Sequence, residues 1–379
     1  MIGLIMRAPI TTPPLILKPL ATTLNIPLGS LGILTTLPIL MFVVFSSFSS
    51  ITAKNLGLKQ ATLMAIGLTL LGSLLRLIVT MPTIIIGTIL IGIGIAHLNV
   101  FMPSLVGTFF PEKVGLYTTI YTFSMFFGNA IFNLLTAPAS HFFGWHSILV
   151  ILALPPFLSF VGWAIISRTL PKVNEDTSSR KTHTVKSMWR NPNAWLLLVM
   201  FGIQSVLSYT YSAWMPSLMS YHNLSANAVG SLTSVFAIIG LLIALCLPQL
   251  LIQLSSKQIC YLIAIVNLLG LIAGGMLFFQ NTSSILFWLI QSVLIGVIVG
   301  FFFVNIMTMF VTKTRTPVET ISISSMAQTG GYFMGGIAPL IYGVAFSKNP
   351  TGNIQVVVEL CLVLVMLFTS LKIAKIKYI

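Results

Sequence analysis

The sequence is short of charge, and of negative charge most of all. Aspartate and glutamate number five in 379 residues, and charged residues of both signs make up 6% of the chain, against about 25% in an average soluble domain. A surface this poor in charge would not keep the protein in solution. Since hydrophobic residues make up 56%, we infer that lipid surrounds most of the chain.

The same scarcity limits the chemistry that the chain could carry out. The few acids lie mostly in loops and form no carboxylate pair of the kind used in acid–base catalysis. The histidines and cysteines lack the spacing of a metal site or a disulfide framework, and the three cysteines, Cys246, Cys260 and Cys361, lie inside apolar runs. We predict no enzyme activity, no catalytic residues, no metal and no cofactor. The lack of a phosphate-binding loop argues against an ATP-driven pump.

Long apolar runs are abundant. Twelve of them are long enough to cross a bilayer as helices of about 20 residues, and helices are required because lipid cannot satisfy exposed backbone groups. They cover about 1–20, 30–53, 61–79, 82–105, 115–138, 145–167, 193–220, 226–250, 259–279, 283–305, 319–346 and 354–372. The predicted fold is an all-α integral membrane protein with twelve transmembrane helices.

The positive charges predict the orientation. The net charge of +14 could suggest a nucleic-acid partner, but the basic residues are spread over short loops rather than clustered on one face, so we expect none. Fifteen of the nineteen fall in 54–60, 106–115, 168–192, 251–258, 311–318 and the C-terminal tail. Lysine and arginine mark cytoplasmic loops, so both termini are predicted to be cytoplasmic, in a multi-pass plasma-membrane protein. The other four are Arg7, Lys18, Arg76 and Lys348.

The longest polar segment divides the twelve runs into two groups of six. It covers residues 168–192 and is predicted to be a cytoplasmic linker between six-helix bundles at 1–167 and 193–379. The sequences of the two groups show a weak internal repeat. The alignment that pairs Asn25 with Asn223 also pairs Lys59 with Lys257, without a gap. Two pseudo-symmetric halves are typical of secondary transporters.

Arg7 is a functional candidate because ionisable side chains are costly inside a bilayer. Along a helix it lies roughly 16 Å from Lys18, which we take as an anchor at the outer interface, and the repeat places it opposite Ser205, roughly 18 Å into the seventh run. Half of the hydrocarbon core measures about 15 Å. Both distances place Arg7 near the midplane of the membrane.

Three prolines follow Arg7 and favour a kink in the first helix. Pro9, Pro13 and Pro14 remove backbone donors, and freed carbonyls are tolerated where they line a cavity. A kinked helix with a central cation suits an anion or a polarised group. Only six residues precede Arg7, so the first helix is predicted to be short, or to start upstream of the first methionine. Two other interpretations stay open: Arg7 snorkels to the cytoplasmic surface, or it pairs with Glu359.

Several other polar side chains lie within the apolar runs. For each of them a hydrogen bond between helices competes with contact to a ligand as the explanation. They are Asn99, Asn129, Asn133, Gln204, Tyr209, Gln291, Asn305, Gln328 and Tyr332. His97 and Glu359 are titratable at depth and are therefore the candidates for proton coupling. A structural hydrogen bond is the alternative for His97.

Four stretches carry a resemblance that covers nearly the whole chain. They are MRAPITTPPLI, GIGIAHLNVFMPSLVGTFFPEKVGLYTTIYT, FGIQSVLSYTYSAWMPSLM and RTPVETISISSMAQTGGYFMGGIAPLIYG. With these stretches the chain resembles the cyanate/nitroimidazole permease family (CynX/NimT) of the major facilitator superfamily. The positions on the family's patterns include Arg7, Asn99 with Pro103, Gln204 with Ser205, and Gln328 with Tyr332. The loop SSITAKNLGLKQ departs from the superfamily pattern because it has no acid.

The resemblance implies a secondary or facilitative carrier of a small solute that works by alternating access, with a cyanate-like or organic anion as the candidate solute. Arg7 would anchor the charge, and the polar or aromatic lining would come from Asn99, Gln204, Tyr209, Gln328 and Tyr332. We expect a monomer whose partners are the solute and the lipid bilayer. The direction of transport and its coupling to protons stay open. A multidrug or small-molecule exporter and a transport-inactive, truncated membrane protein are the alternatives.

Overall fold

Helix accounts for nearly all of the described chain. The computed structural model describes residues 1–26, 31, 33–170 and 188–379, and in these ranges it contains α-helices and short 3-10 helices but no strand. The prediction of an all-α protein is therefore confirmed. Most of the predicted linker, namely 171–187, lies outside the described residues.

The first run of the sequence is broken into short pieces, and long helices follow it. The pieces are α1 (Ile2–Ile5), α2 (Ala8–Thr11), a 3-10 turn (Pro13–Ile16) and α3 (Leu17–Leu24). The long helices are α4 (Ile33–Leu56), α5 (Leu58–Leu75), α6 (Met81–Phe109), α7 (Val114–Phe143), α8 (His146–Thr169), α9 (Pro192–Tyr221), α10 (Ala226–Gln253), α11 (Ser256–Met276), α12 (Ile285–Thr312), α13 (Pro317–Lys348) and α14 (Asn353–Ala374).

Nine helices within the described residues are long and apolar enough to cross a membrane: α4, α5, α6, α8, α9, α10, α11, α12 and α14. The 30-residue α7 and the 32-residue α13 are also long enough, but they include polar side chains, among them Asn129, Asn133 and Gln328. The chain is a multi-pass membrane protein, while the count of twelve spans stays a prediction.

The described residues divide into two compact units. Unit 1 contains Met1–Met188 and Thr316–Ser325, and unit 2 contains Trp189–Arg315 and Met326–Ile379. Unit 1 therefore holds α1 to α8 with the first turns of α13. Unit 2 holds α9 to α12, the remainder of α13 and α14.

The surfaces of both units carry large apolar side chains that no soluble protein would expose in such number. Phe142 and Phe143 at the end of α7 are 75% and 79% exposed, and Tyr261 and Ile354 in unit 2 are 72% and 79% exposed. Lipid contact explains this pattern, because acyl chains are as apolar as these side chains.

Glycines bring α5 and α6 into close contact in unit 1. A Cβ atom at Gly87 would lie 2.5 Å from the carbonyl oxygen of Gly72, and one at Gly94 would lie 2.5 Å from that of Ala65. Small residues let helix backbones approach in this way inside a membrane. Gly87 and Gly94 therefore serve the close packing of α5 and α6.

Candidate functional site

The first apolar segment is interrupted at Arg7 and again after Thr12. α1 ends at Ile5, and Arg7 has φ −131° and ψ −49°, outside helical values. Proline has no N–H group, so Pro9 cannot donate to the carbonyl of Ile5, and Pro13 cannot donate to the carbonyl of Pro9. The kink that the sequence predicts is thus a pair of breaks, and the carbonyl groups of Ile5 and Pro9 lack the donors that a continuous helix would supply.

Arg7 lies at the first break, with its backbone held by the turn that follows. Its carbonyl accepts hydrogen bonds from the Ile10 and Thr11 backbone nitrogens at 2.9 and 3.1 Å, and from the Thr11 hydroxyl at 3.1 Å. Its guanidinium carbon lies 5.0 Å from the ring centroid of Phe126 on α7, within the range of a cation–π contact. A permanent cation is therefore placed against an aromatic face beside an interrupted helix.

α7 fixes the broken segment through two asparagines. The Thr12 hydroxyl donates to Oδ1 of Asn133 at 2.9 Å, and the Thr11 hydroxyl is hydrogen-bonded to Oδ1 of Asn129. Asn133 in turn donates to Asn129 at 3.4 Å. Asn129 and Asn133, which sequence reasoning proposed as ligand or structural residues, therefore form hydrogen bonds between helices.

Arg76 is a buried cation that sequence reasoning did not select. It follows α5, is 5% exposed, and donates from Nη1 to the carbonyl of Pro9 at 2.6 Å. Nε and Nη2 donate to the Thr88 hydroxyl on α6 at 3.2 and 2.8 Å. When lysine and arginine are counted to predict the orientation, Arg76 is only one of the four basic residues outside the predicted cytoplasmic segments. Its position near the end of the apolar run 61–79, which also contains Gly72, is a signal that could have identified it.

His97 on α6 is fixed by hydrogen bonds at both ring nitrogens. Nδ1 lies 2.9 Å from the carbonyl of Ile93, and Nε2 lies 3.3 Å from the hydroxyl of Thr52 on α4. A carbonyl only accepts, so Nδ1 carries a proton and donates it to Ile93, while Nε2 lies within hydrogen-bond distance of the Thr52 hydroxyl. This geometry favours the structural interpretation of His97. Asn99, two residues further on, is 7% exposed.

In unit 2 the predicted lining residues lie on two helices in close contact, α9 and α13. A Cβ at Gly335 on α13 would lie 2.9 Å from the ring of Tyr209 on α9. Gln204 on α9 is 3% exposed and donates to the carbonyl of Val299 at 3.4 Å.

The α13 members of this set are buried too. Gln328 is 0% exposed, and Tyr332 is 6% exposed with its ring edge-on to Phe201 at 5.3 Å. α9 and α13 therefore hold Gln204, Tyr209, Gln328 and Tyr332 on adjoining helices.

Glu359 on α14, which is half-buried, belongs to a separate polar cluster in unit 2. Its carboxyl group lies within electrostatic range of the phenols of Tyr211 on α9 and Tyr342 on α13. Gln291 on α12 donates from Nε2 to the Tyr211 hydroxyl at 2.6 Å. Oε1 of Glu359 is buried and accepts no hydrogen bond from the described residues. The sequence singles out Glu359 and Gln291 separately but does not bring them together.

The described residues contain no group of three histidine, cysteine or acidic side chains that could hold a metal ion. The candidate residues fall into four sets, two in each unit. Arg7 with the α7 asparagines lies in unit 1, as does the pair His97 and Asn99 on α6. The α9 and α13 residues and the Glu359 cluster lie in unit 2.

Comparison with known proteins gives one family across most of the chain. The profile of the Major Facilitator Superfamily matches residues 2–339. The chain is 27% identical to the 2-nitroimidazole transporter of Escherichia coli (strain K12) over 352 residues, which cover 92% of this chain and 87% of that protein. It is 22% identical to the cyanate transport protein CynX of Escherichia coli (strain K12) over 357 residues, 93% of this chain and 89% of that one.

A solved structure shows the same fold. The proton:xylose symporter XylE, bound to 6-bromo-6-deoxy-D-glucose, matches with a TM-score of 0.76 over 98% of this chain and 92% of that one. The sequence identity is 13%, so this likeness concerns the fold alone. The resemblance found in the sequence and the predicted fold type are both confirmed.

Proposed function

The chain belongs to the major facilitator superfamily, and we propose that the small solute it carries is an anion or a polarised molecule held at Arg7. The general function, small-solute transport across a membrane by alternating access, is shown by the relatives. The observation that carries the proposal about the solute is the placement of the Arg7 guanidinium against Phe126 at a helix break. Interrupted helices near the midplane supply the solute sites of many carriers.

The chemistry of the relatives' solutes agrees with such a site. Cyanate is a small anion, and 2-nitroimidazole is a flat heteroaromatic ring with electron-rich nitro oxygens. A guanidinium donates to oxygen atoms through several N–H groups in one plane, and an aromatic ring such as Phe126 offers a stacking face. We propose both compounds as candidate solutes of this chain.

The remaining lining residues are proposed within their own units. Asn99 on α6 would contact the solute from unit 1. Gln204, Tyr209, Gln328 and Tyr332 are proposed as the solute-binding residues of unit 2, where they would offer neutral hydrogen bonds and ring contacts. All of them except the half-buried Tyr209 are buried polar residues within helices, and such groups mark solute pathways in membrane proteins.

For coupling, we propose Glu359 rather than His97 as the proton carrier. Both ring nitrogens of His97 are engaged, while the Glu359 carboxyl retains a buried oxygen without a hydrogen-bond partner among the described residues. Glu359→Gln mimics the protonated form. It is expected to abolish the stimulation of uptake by a pH gradient but to leave exchange of solute on the two sides intact.

The cellular setting follows from the distribution of lysine and arginine. We propose a monomer in the plasma membrane with both termini in the cytoplasm, two bundles at 1–167 and 193–379, and neither enzyme activity nor a nucleic-acid partner. Reporter fusions after residue 192 and at the C-terminus would test the orientation, since both are expected to report a cytoplasmic position.

Uptake by the purified protein in proteoliposomes tests the choice of solute. We expect labelled 2-nitroimidazole or cyanate to enter at rates above protein-free liposomes, and the unlabelled compound to compete. Xylose, a neutral sugar, is the control and is expected neither to enter nor to compete. Transport of xylose with no transport of either electron-rich compound would contradict the proposal.

A further inference from the structure

The carbonyl of Pro9 is a buried acceptor that the helix itself cannot satisfy. In a continuous helix it would accept from the nitrogen four residues on, which is the nitrogen of Pro13 and carries no hydrogen. Pro9 is buried, so water does not replace the missing donor. The break in the first segment therefore creates a need for a donor from elsewhere in unit 1.

Arg76 supplies that donor from α5. Its Nη1 donates to the Pro9 carbonyl at 2.6 Å, the short distance of a charge-assisted hydrogen bond. Its Nε and Nη2 are held by the Thr88 hydroxyl, whose own proton goes to the carbonyl of Ile84 at 2.6 Å. Thr88 is thereby fixed as an acceptor for Arg76.

The close contact of α5 and α6 directs Arg76 toward the broken segment. A Cβ at Gly87 would lie 3.0 Å from Cγ of Arg76, so the stem of the arginine lies against the glycine that precedes Thr88. Larger side chains at Gly72 and Gly87 would move the two helices apart. The close contact between α5 and α6 thus directs the Arg76 guanidinium toward the first segment. On these two helices, no residue before Asn99 is a candidate for contact with the solute.

We infer that Arg76 is a positioning residue for Arg7: by satisfying the Pro9 carbonyl it fixes the break in the geometry that places the Arg7 guanidinium over Phe126. Arg7 is two residues before Pro9, and the turn between them is held by the hydrogen bonds to the Arg7 carbonyl. α7 fixes the other side through Thr12 and Asn133. This inference rests on the proposed role of Arg7.

Direct contact of Arg76 with the solute is the competing interpretation. Two of its five N–H groups have no acceptor among the described residues. A double-mutant cycle separates the two interpretations, because residues that act through one another give non-additive effects. The variants are Arg76→Gln, Arg7→Ala and their combination, assayed for KM and maximal rate with labelled 2-nitroimidazole and labelled cyanate.

We expect Arg76→Gln to raise KM by about tenfold, equivalent to about 1.4 kcal/mol, with a smaller change in maximal rate. Arg76→Lys, which keeps a charged donor for the Pro9 carbonyl, is expected to restore part of the loss. In the Arg7→Ala background, Arg76→Gln should have no further effect on KM. Effects that multiply in the double variant would overturn the inference.

A second measurement decides the inference even if neither compound is transported or Arg7→Ala behaves as wild type. All three cysteines lie beyond residue 245, so a cysteine-free background with Arg7→Cys gives a single thiol at the break. Arg76→Gln is expected to change the rate at which N-ethylmaleimide modifies this thiol severalfold, and Arg76→Lys to reverse the change. A thiol at Phe142, 75% exposed on α7, is the control and should not respond.

An unchanged modification rate at position 7, in an Arg76→Gln protein that elutes and unfolds as the reference does, would overturn the positioning role. The failure of the proposed solute site looks different. In that case Arg7→Ala would transport normally, while the thiol at position 7 would still respond to Arg76→Gln.

Discussion

Gly87→Ala tests whether the close contact of α5 and α6 is required in unit 1. The added Cβ would lie 2.5 Å from the Gly72 carbonyl oxygen, where ordinary contacts begin at 3.4 Å. The backbones must therefore separate by roughly 0.9 Å locally, because a backbone atom cannot swing aside as a side chain can. Overpacking of this kind costs about 1–3 kcal/mol.

Thermal unfolding in detergent measures this cost. For a unit of this size, each kcal/mol corresponds to about 2–4 °C, so Tm is expected to fall by about 2–12 °C. Gly162→Ala on α8 is the matched control, since its Cβ would meet no atom within 4 Å. It should keep or raise Tm because alanine favours helix over glycine. Equal Tm values for Gly87→Ala and Gly162→Ala would refute the contact.

Three further predictions concern single groups. Thr12→Val removes the hydroxyl that donates to Asn133 and should lower the free energy of unfolding by about 1–3 kcal/mol; the exposed Thr23→Val is the control, and a loss of the same size there would contradict it. Tyr211→Phe leaves the buried Gln291 amide without its acceptor and should cost about 1–3 kcal/mol, while Tyr261→Phe, on a 72% exposed ring, should cost nothing measurable by thermal unfolding. Burial lowers the pKa of His222, just after α9, below 6.5. As the pH drops through and below 6.5, the unfolded chain therefore binds the proton before the folded chain does, and the stability falls. His222→Gln should reduce the loss of Tm between about pH 7.5 and about pH 5. An unchanged loss would contradict this.

The long helices could be predicted from the sequence because hydrocarbon thickness sets their length. The second run, about 30–53, corresponds to α4 at Ile33–Leu56, and the tenth, about 283–305, to α12 at Ile285–Thr312. The helix starts also follow the internal repeat: α5 begins at Leu58 and α11 at Ser256, which is the offset that aligns Lys59 with Lys257. Hydropathy carries this information because lipid imposes it on every span.

The contacts between helices could not be predicted in this way. Three prolines indicate an interrupted first helix, but they do not show that a cation from α5 satisfies the Pro9 carbonyl. Counting basic residues shows Arg76 only as one of the four that lie outside the predicted cytoplasmic segments. Likewise, the sequence offers Glu359 and Gln291 as isolated polar residues, because their meeting around Tyr211 depends on how α9, α12, α13 and α14 pack. Which apolar faces meet is decided by side-chain shape, and hydropathy does not record it.

Uptake by Arg7 variants tests the central claim most directly. Wild type, Arg7→Ala and Arg7→Lys are compared in proteoliposomes with labelled 2-nitroimidazole and labelled cyanate, after their Tm values and elution profiles are shown to match. If Arg7 holds the solute, Arg7→Ala should raise KM by at least about tenfold, a loss of about 1.4 kcal/mol, and Arg7→Lys should retain part of the binding through its charge. Unchanged KM and maximal rate in an equally stable Arg7→Ala protein would contradict the account.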